Sequence, residues 1–203
     1  MVLDILRSYG IPATFFLLGE QVADAAAWPI VEEMVADPLF DVANHSWSHV
    51  DLADASAATV ATEIDDTTAL LETFGVTPEF FRFPYGDSTC YTHDEVTDRG
   101  YRVAGWHIDT ADWCYAAGDG VCLHEDYWRV PVEYEADMIG LSMEQIRRFD
   151  GGIVLFHDIH AWTAGELETF IEAALSEGYT FAAMSDERVF PNLVAGTPAD
   201  LPY

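Results

Sequence analysis

The chain has 203 residues, half of them hydrophobic, enough for one domain with a substantial core. No apolar run approaches the roughly 20 residues of a membrane helix, and the N-terminus has neither the basic nor the apolar region of a signal peptide. Eight arginines, no lysine and 36 acidic residues give a formal net charge of -28, which argues by repulsion against nucleic acid or an anionic membrane as partner. Such a surface fits either work in high salt, where screening removes the self-repulsion, or a compositional bias of the genome.

In chain order, residues 2–9 read as a helix stopped by Gly10 and Pro12. Residues 13–18 form a continuous apolar strand of the kind buried on both faces of a parallel sheet. Residues 23–36 predict a helix with Trp28, Ile30, Val31 and Met34 on its apolar side, and residues 40–43 a second strand. The clearest helix is 56–74, where Val60, Ile64, Leu71 and Phe74 fall at helical spacing and Gly75 stands ready to end it. A third strand at 80–83, a short helix at 94–99 and a fourth strand at 101–108 follow. After a long irregular stretch come a helix at 142–149, a fifth strand at 152–156, a helix at 166–176 and a sixth strand at 179–184. Residues 191–203 read as a tail after a single domain over 1–190.

Apolar strands alternating with helices argue for a parallel α/β fold, either a barrel or an open sheet. The alternation begins on a helix with no strand in front of it. Cys114 and Cys122 flank a turn-rich stretch and are expected to pair, which would place the protein outside the cytoplasm. With Cys90 as a third cysteine, the other pairings stay open.

The chemistry-bearing residues gather just past strand ends, where α/β folds build their sites. The second strand runs into Asn44 and then His45 and His49, two imidazoles four positions apart that can close on one metal ion. The third ends in Arg82, Phe83, Pro84, Tyr85 and Gly86, the fourth in Asp109, Thr110, Ala111, Asp112 and Trp113, and the fifth in Leu155, Phe156, His157 and Asp158. Singly, each has an ordinary reading: Arg82 and Asp112 as an ion pair, Trp113 and Leu155 as core, Tyr85 as a turn residue. Their joint delivery to one face outweighs those readings.

These segments, in this order, resemble the polysaccharide deacetylase family, the metal-dependent carbohydrate esterases that remove N-acetyl or O-acetyl groups from chitin, peptidoglycan and xylan. The resemblance runs to about Met184 and includes Ala13-Thr14-Phe15-Phe16 followed by Leu18-Gly19. It implies a distorted, incomplete βα-barrel, here lacking its first strand. It also implies that His45 and His49 bind a divalent metal, commonly zinc. The backbone N–H of Tyr85 would stabilise the oxyanion, His157 would protonate the leaving amine, Asp112 would orient that imidazole, and Arg82 would orient the catalytic base. Trp113 and Leu155 would line a pocket for the acetyl methyl group, and Pro84 would border the substrate while shaping the Tyr85 turn. The implied partner is an acetylated polysaccharide or oligosaccharide, most directly its N-acetylglucosamine units. Tyr115, Tyr127, Trp128 and Tyr134 either stack on sugar rings or cover the barrel wall, and His107 reads as structural.

One family motif has no match. Members carry an Asp-Asp pair on their first strand, one carboxylate serving as base and the other as third metal ligand. Asp65-Asp66 lies inside the strongest helix and cannot replace it. Two histidines alone make a weak zinc site, so impaired metal binding is expected. The chain is therefore read as part of a secreted enzyme whose first strand and leader are not in this sequence. The alternative is a non-catalytic, glycan-binding relic. Retention of Arg82, whose expected partner is the missing base, favours the first.

Overall fold

The computed structural model describes residues 1–195. They fall into two compact units: Met1–Tyr9 with Trp106–Phe181 form the first, and Gly10–Gly105 with the residues from Ala182 form the second.

The second unit holds a four-stranded parallel sheet in the order β1 (Ala13–Leu17), β2 (Phe40–Asn44), β3 (Phe80–Phe81) and β4 (Arg102–Val103). β1 and β2 pair over five residues, from Ala13 opposite Phe40 to Leu17 opposite Asn44. As the edge strand, β1 is only half-buried except at Phe15, whereas β2 has one face and both ends enclosed. The expectation of burial on both faces therefore fails for β1.

Helix α1 (Val2–Tyr9) is as expected and belongs to the first unit. The helix expected over 23–36 is broken. A short α2 (Gly19–Val22) is followed by a 3-10 turn at Ala25–Ala27 and then by α3 (Trp28–Ala36). Asp24 makes the break by accepting a hydrogen bond from Ala26 N, and Pro29, which lacks an N–H, suits the first turn of α3. Helix α4 (Ala57–Glu72) is capped by Ser56 and buries Val60, Ile64, Thr67 and Leu71 on one face. Its last turn closes through Gly75, at φ +79, the left-handed conformation that glycine adopts without strain. Leu52, Val60, Ile64, Phe81, Phe83, Val96 and Tyr101 form the local core. Helix α5 (Cys90–Thr97) starts four residues before the expected position because Thr89 and Thr92 cap it reciprocally.

The strand expected over 101–108 is two strands in different sheets. β4 pairs with β3, while β5 (Ile108–Asp109) pairs with β6 (Val154–Leu155) in the first unit. Between them the Ala104 and Gly105 carbonyls accept hydrogen bonds from the Arg82 guanidinium instead of continuing the ladder. No strand forms over 179–184. That run starts inside the cap of the preceding helix, where Tyr179 N bonds Ala174 O, and ends in a turn closed by Asp186 N and Ala183 O.

The first unit adds α6 (Asp112–Ala117), α7 (Met138–Phe149) and α8 (Ala161–Ser176). α7 begins four residues before the expected start, at the Asp137 cap. Ala111, Cys114, Tyr115, Cys122, Val130, Met138 and Leu141 make its core. His107 is structural, as expected: its Nδ1 accepts from Ile153 N, and burial keeps its pKa low and the ring neutral. Gly152, at φ +134, lies so near that a Cβ there would come 2.7 Å from the Cβ of His107. Of the residues read as a tail, Pro191–Ala195 form the short helix α9 beside β4 in the second unit; 196–203 lie outside the described residues.

Exposed charge is paired through guanidinium groups, with Arg99 bonded to Asp65 and Glu95, Arg102 to Glu79 and Arg147 to Glu177. Asp65 is thus a surface ion-pair residue of α4. No helix among the described residues is long and apolar enough to cross a membrane.

Cys114 and Cys122 form a disulfide with Cα atoms 5.3 Å apart, and Cys90 is free and exposed. Replacing both paired cysteines with serine is expected to lower stability by about 2 to 3 kcal/mol, the entropy of so short a loop. Urea unfolding of oxidised wild type against the double variant measures it.

Candidate functional site

At the end of β2 the chain leaves the sheet through Asn44, which is fully buried. Its amide donates to Ile64 O, Thr68 Oγ1 and Tyr101 Oη, while its carbonyl oxygen accepts from Ser46 N at 2.8 Å. The next five residues form a loop rather than a helical turn. Ser46 and His49 adopt φ of +71 and +60, a region that costs L-residues energy and needs support.

Glu63 supplies much of that support. It stands on the buried face of α4 at 7% exposure. One carboxylate oxygen accepts from Trp47 N and Ser48 N at 2.9 and 2.8 Å, and the other from Ser48 Oγ at 2.6 Å. The Ser46 and Trp47 carbonyls accept from Gly19 N and Glu20 N, and a Cβ on Gly19 would collide with the Trp47 ring and the Thr67 hydroxyl. The loop is therefore fixed from two sides.

The result is a convergent histidine pair. The rings of His45 and His49 lie 4.9 Å apart at 79°. His45 Nδ1 lies 2.8 Å from the Arg82 carbonyl, which can only accept, so Nδ1 carries the proton and the lone pair sits on Nε2. A backbone carbonyl that fixes the tautomer in this way is the usual outer partner of a metal-binding imidazole. The chemistry of the pair suits a divalent ion. Among the described residues no group of three or more His, Cys, Asp or Glu side chains could hold a metal.

Pro84–Gly86 follow β3 as a 3-10 turn in which Tyr85 takes φ +60. The Tyr85 ring is 68% exposed and meets His49 edge-on at 4.7 Å, while Pro84 is buried beneath it. Arg82 is buried, stacked over Phe16 at 4.0 Å, with Nε and Nη2 donating to Ala104 O and Gly105 O. Burial pulls its pKa down to about 10, which leaves it charged at neutral pH.

The first unit carries the second constellation. Beyond β5, Asp109 accepts from Ala111 N and holds Ala111 at φ +53, so that α6 begins at Asp112. Asp112 is wholly buried. Its Oδ1 accepts from His157 Nδ1 at 2.8 Å and from the Thr110 hydroxyl at 3.2 Å, and its Oδ2 from His157 N at 2.7 Å and the Thr163 hydroxyl at 2.8 Å. Burial alone raises the carboxyl pKa, but the bonds from His157 and Thr163, with the charge of His157, outweigh it and the net shift is downward. With Nδ1–H committed to the carboxylate, Nε2 is the nitrogen through which His157 exchanges protons.

Trp113, next along α6, is 39% exposed and meets the Tyr127 ring edge-on at 5.1 Å. Leu155 is buried in β6, and its carbonyl accepts from Thr110. The second unit thus gathers His45, His49, Arg82, Pro84 and Tyr85, and the first gathers Asp112 and His157 with Trp113 and Leu155 on the adjoining elements. Glu63 and Thr163 escaped the sequence reading, which named Asn44 and Thr110 at the strand ends without giving either a role. Glu63 did leave a signal, a carboxylate falling on the apolar face of α4 between Val60 and Thr67.

Residues 1–104 match the family model for polysaccharide deacetylase. The chain belongs to that family. Among curated deacetylases, the peptidoglycan-N-acetylglucosamine deacetylase PgdA of Listeria monocytogenes is 30% identical over 186 residues, 91% of this chain and 34% of that protein. The chain spans about a third of that relative's length. A family 4 acetyl xylan esterase from Clostridium thermocellum, solved with a cobalt ion, superposes with a TM-score of 0.73 at 26% identity, covering 97% of this chain and 84% of that one. A CE4 family pseudoenzyme from Bacillus anthracis gives 0.71 at 21% identity over 98% and 61% of the two chains. The parallel α/β fold of the deacetylase type expected from the sequence is therefore the fold found.

Two predictions test this deacetylase-family site. Glu63→Ala leaves two loop N–H groups and a hydroxyl without their acceptor, and is expected to cost about 2 to 4 kcal/mol in urea unfolding, Glu63→Gln less. Asp112 has a folded pKa below its ordinary 3.8, so its stabilising contribution is present above that value and disappears as pH falls through the lower folded value. Denaturation series should show Asp112→Asn less stable than wild type at neutral pH, with the gap closing below about pH 4.

Proposed function

We propose that the chain carries part of the machinery of a metal-dependent polysaccharide deacetylase, an enzyme that hydrolyses acetyl groups, foremost the N-acetyl of N-acetylglucosamine units. Turnover by these residues alone is impaired because the catalytic base has no match in this sequence. The observation that carries this reading is the buried Asp112 carboxylate bonded to His157 Nδ1 and to the His157 backbone, in a chain of deacetylase ancestry. His45 and His49 would hold a divalent metal, preferably zinc. That ion, when bound, supplies a Lewis acid for the acetyl carbonyl and lowers the pKa of water.

The remaining roles belong to the chain's own groups. His157, charged and held by Asp112, donates its Nε2 proton to the nitrogen of the departing glucosamine unit. The Tyr85 N–H, set by its left-handed turn, stabilises oxyanion charge. Arg82 orients the catalytic base, a group that the family's first-strand carboxylate supplies. Trp113 and Leu155 receive the acetyl methyl group, and Pro84 borders the substrate. The disulfide and the family support an extracellular or periplasmic setting.

A second reading, a glycan-binding module without turnover, is favoured by one observation: the described residues offer no third metal donor beside the histidine pair. Chitooligosaccharides incubated with zinc and the chain extended upstream by the family's Asp-Asp strand discriminate the two. Hydrolysis predicts released acetate, falling about 10²- to 10⁴-fold in His157→Ala, and zinc affinity weakened in His45→Ala by equilibrium dialysis. No acetate from any acetylated glycan, with affinity for the glycan retained, would establish the second reading instead.

A further inference from the structure

We infer that Trp128 is a stacking platform for a pyranose ring of the glycan, built into the first unit on the turn that follows Tyr127. The inference rests on the polysaccharide reading above and identifies where a further sugar of that chain is held.

The structure separates the four aromatics of the 115–140 stretch. Tyr115 is fully buried, stacked on Trp162 at 5.9 Å and 13°, with its hydroxyl on Tyr134 O. Tyr134 packs against that same core. Both are wall. Tyr127 is half-buried, its hydroxyl bonded to Asp109 Oδ2 at 2.8 Å and its ring set against Trp113. Trp128 is 72% exposed.

A single exposed apolar side chain is ordinary on a protein surface. What sets Trp128 apart is how firmly its backbone and ring are held. The turn that carries it is closed at both ends: Tyr127 N bonds Leu123 O, Val130 N bonds Tyr127 O, and His124 Nδ1 donates to Val130 O at 2.8 Å. Val130 is fully buried, the Cys114–Cys122 disulfide staples the start of the loop, and Glu135 accepts from His124 N. The Arg129 guanidinium lies 5.3 Å over the indole and 4.0 Å from Asp109 Oδ2, a contact that biases the ring's orientation. An exposed indole ordered before any ligand arrives loses little entropy on binding.

The chemistry favours a neutral sugar. The C–H face of a pyranose is apolar and packs on an indole, and its hydroxyls find donors in Arg129. An anionic ligand would meet the field of a chain carrying -28. Arg129, which lies over the Trp128 ring, and the Tyr127 hydroxyl both reach Asp109 Oδ2, and the Tyr127 ring meets Trp113, the neighbour of Asp112.

The test uses the whole chain and measures affinity for chitooligosaccharides of increasing length by calorimetry. In wild type, affinity should rise from the disaccharide to longer oligomers. Trp128→Ala should flatten that rise by about ten-fold at the longest oligomer, and Trp128→Phe should restore part of it. Equal affinities for wild type and Trp128→Ala at every length overturn the platform, even if acetate is released. Length-dependent binding that Trp128→Ala flattens supports it, even if no acetate appears and the catalytic reading fails. Absence of binding by wild type at every length overturns it as well. Circular dichroism confirms that each variant is folded.

Discussion

A buried carboxylate that accepts hydrogen bonds from the backbone of a strand-end loop is the interaction on which the candidate constellation of each unit depends. In the second unit Glu63 fastens the loop that presents His45 and His49. In the first, Asp112 fastens the loop that presents His157, bonding both its backbone N–H and its ring. Carboxylates are expensive to bury and repay that expense only when fully hydrogen-bonded. The surrounding hydroxyls of Ser48, Thr110 and Thr163 complete the set. The two differ in reach, because Glu63 bonds only the backbone and a hydroxyl of its loop whereas Asp112 also bonds the imidazole of His157.

This anchoring explains how the loops sustain unfavourable backbone geometry. Of the six non-glycine residues with positive φ among the described residues, four stand in the candidate-site segments: Ser46, His49, Tyr85 and Ala111. Left-handed residues turn the chain more tightly than an ordinary loop, bringing side chains from adjacent positions to a common point. Relaxed alternatives would be lower in local energy, so the conformation persists only because neighbouring donors and acceptors over-determine it. The same logic gives Arg82 its standing: buried over Phe16, it links β3 to the carbonyls that follow β4, and its own carbonyl sets the tautomer of His45.

Strand-end chemistry was legible in the sequence because it depends on residue type and order. His45, His49, Asp112 and His157 fall where the apolar runs stop, and the contact between Asp112 and His157 was implied by the family resemblance. The disulfide was legible for a different reason, a short turn-rich span between two cysteines. What escaped notice depends on competition between local signals. Asp24 interrupts an apparently continuous helical pattern by capping a turn of its own. The run after Gly100 looks like one strand, yet Arg82, distant in sequence, takes its middle carbonyls out of the ladder. The run after Gly178 is apolar enough for a strand but lends its first N–H to a helix cap. Burial, too, is a property of neighbours: β1 has the composition of a central strand and the position of an edge.

The arginine-only cation set has a chemical corollary. The side-chain ion pairs on the surface use guanidinium groups, and with no lysine in the sequence no side chain carries a primary amine. Guanidinium groups stay protonated and do not react as nucleophiles under conditions where amines do. The side chains therefore present no amine to be acylated. In an assay of the proposed deacetylation, a primary amine that accumulates therefore comes from the sugar and not from the protein's side chains, and amine-reactive reporters read it directly.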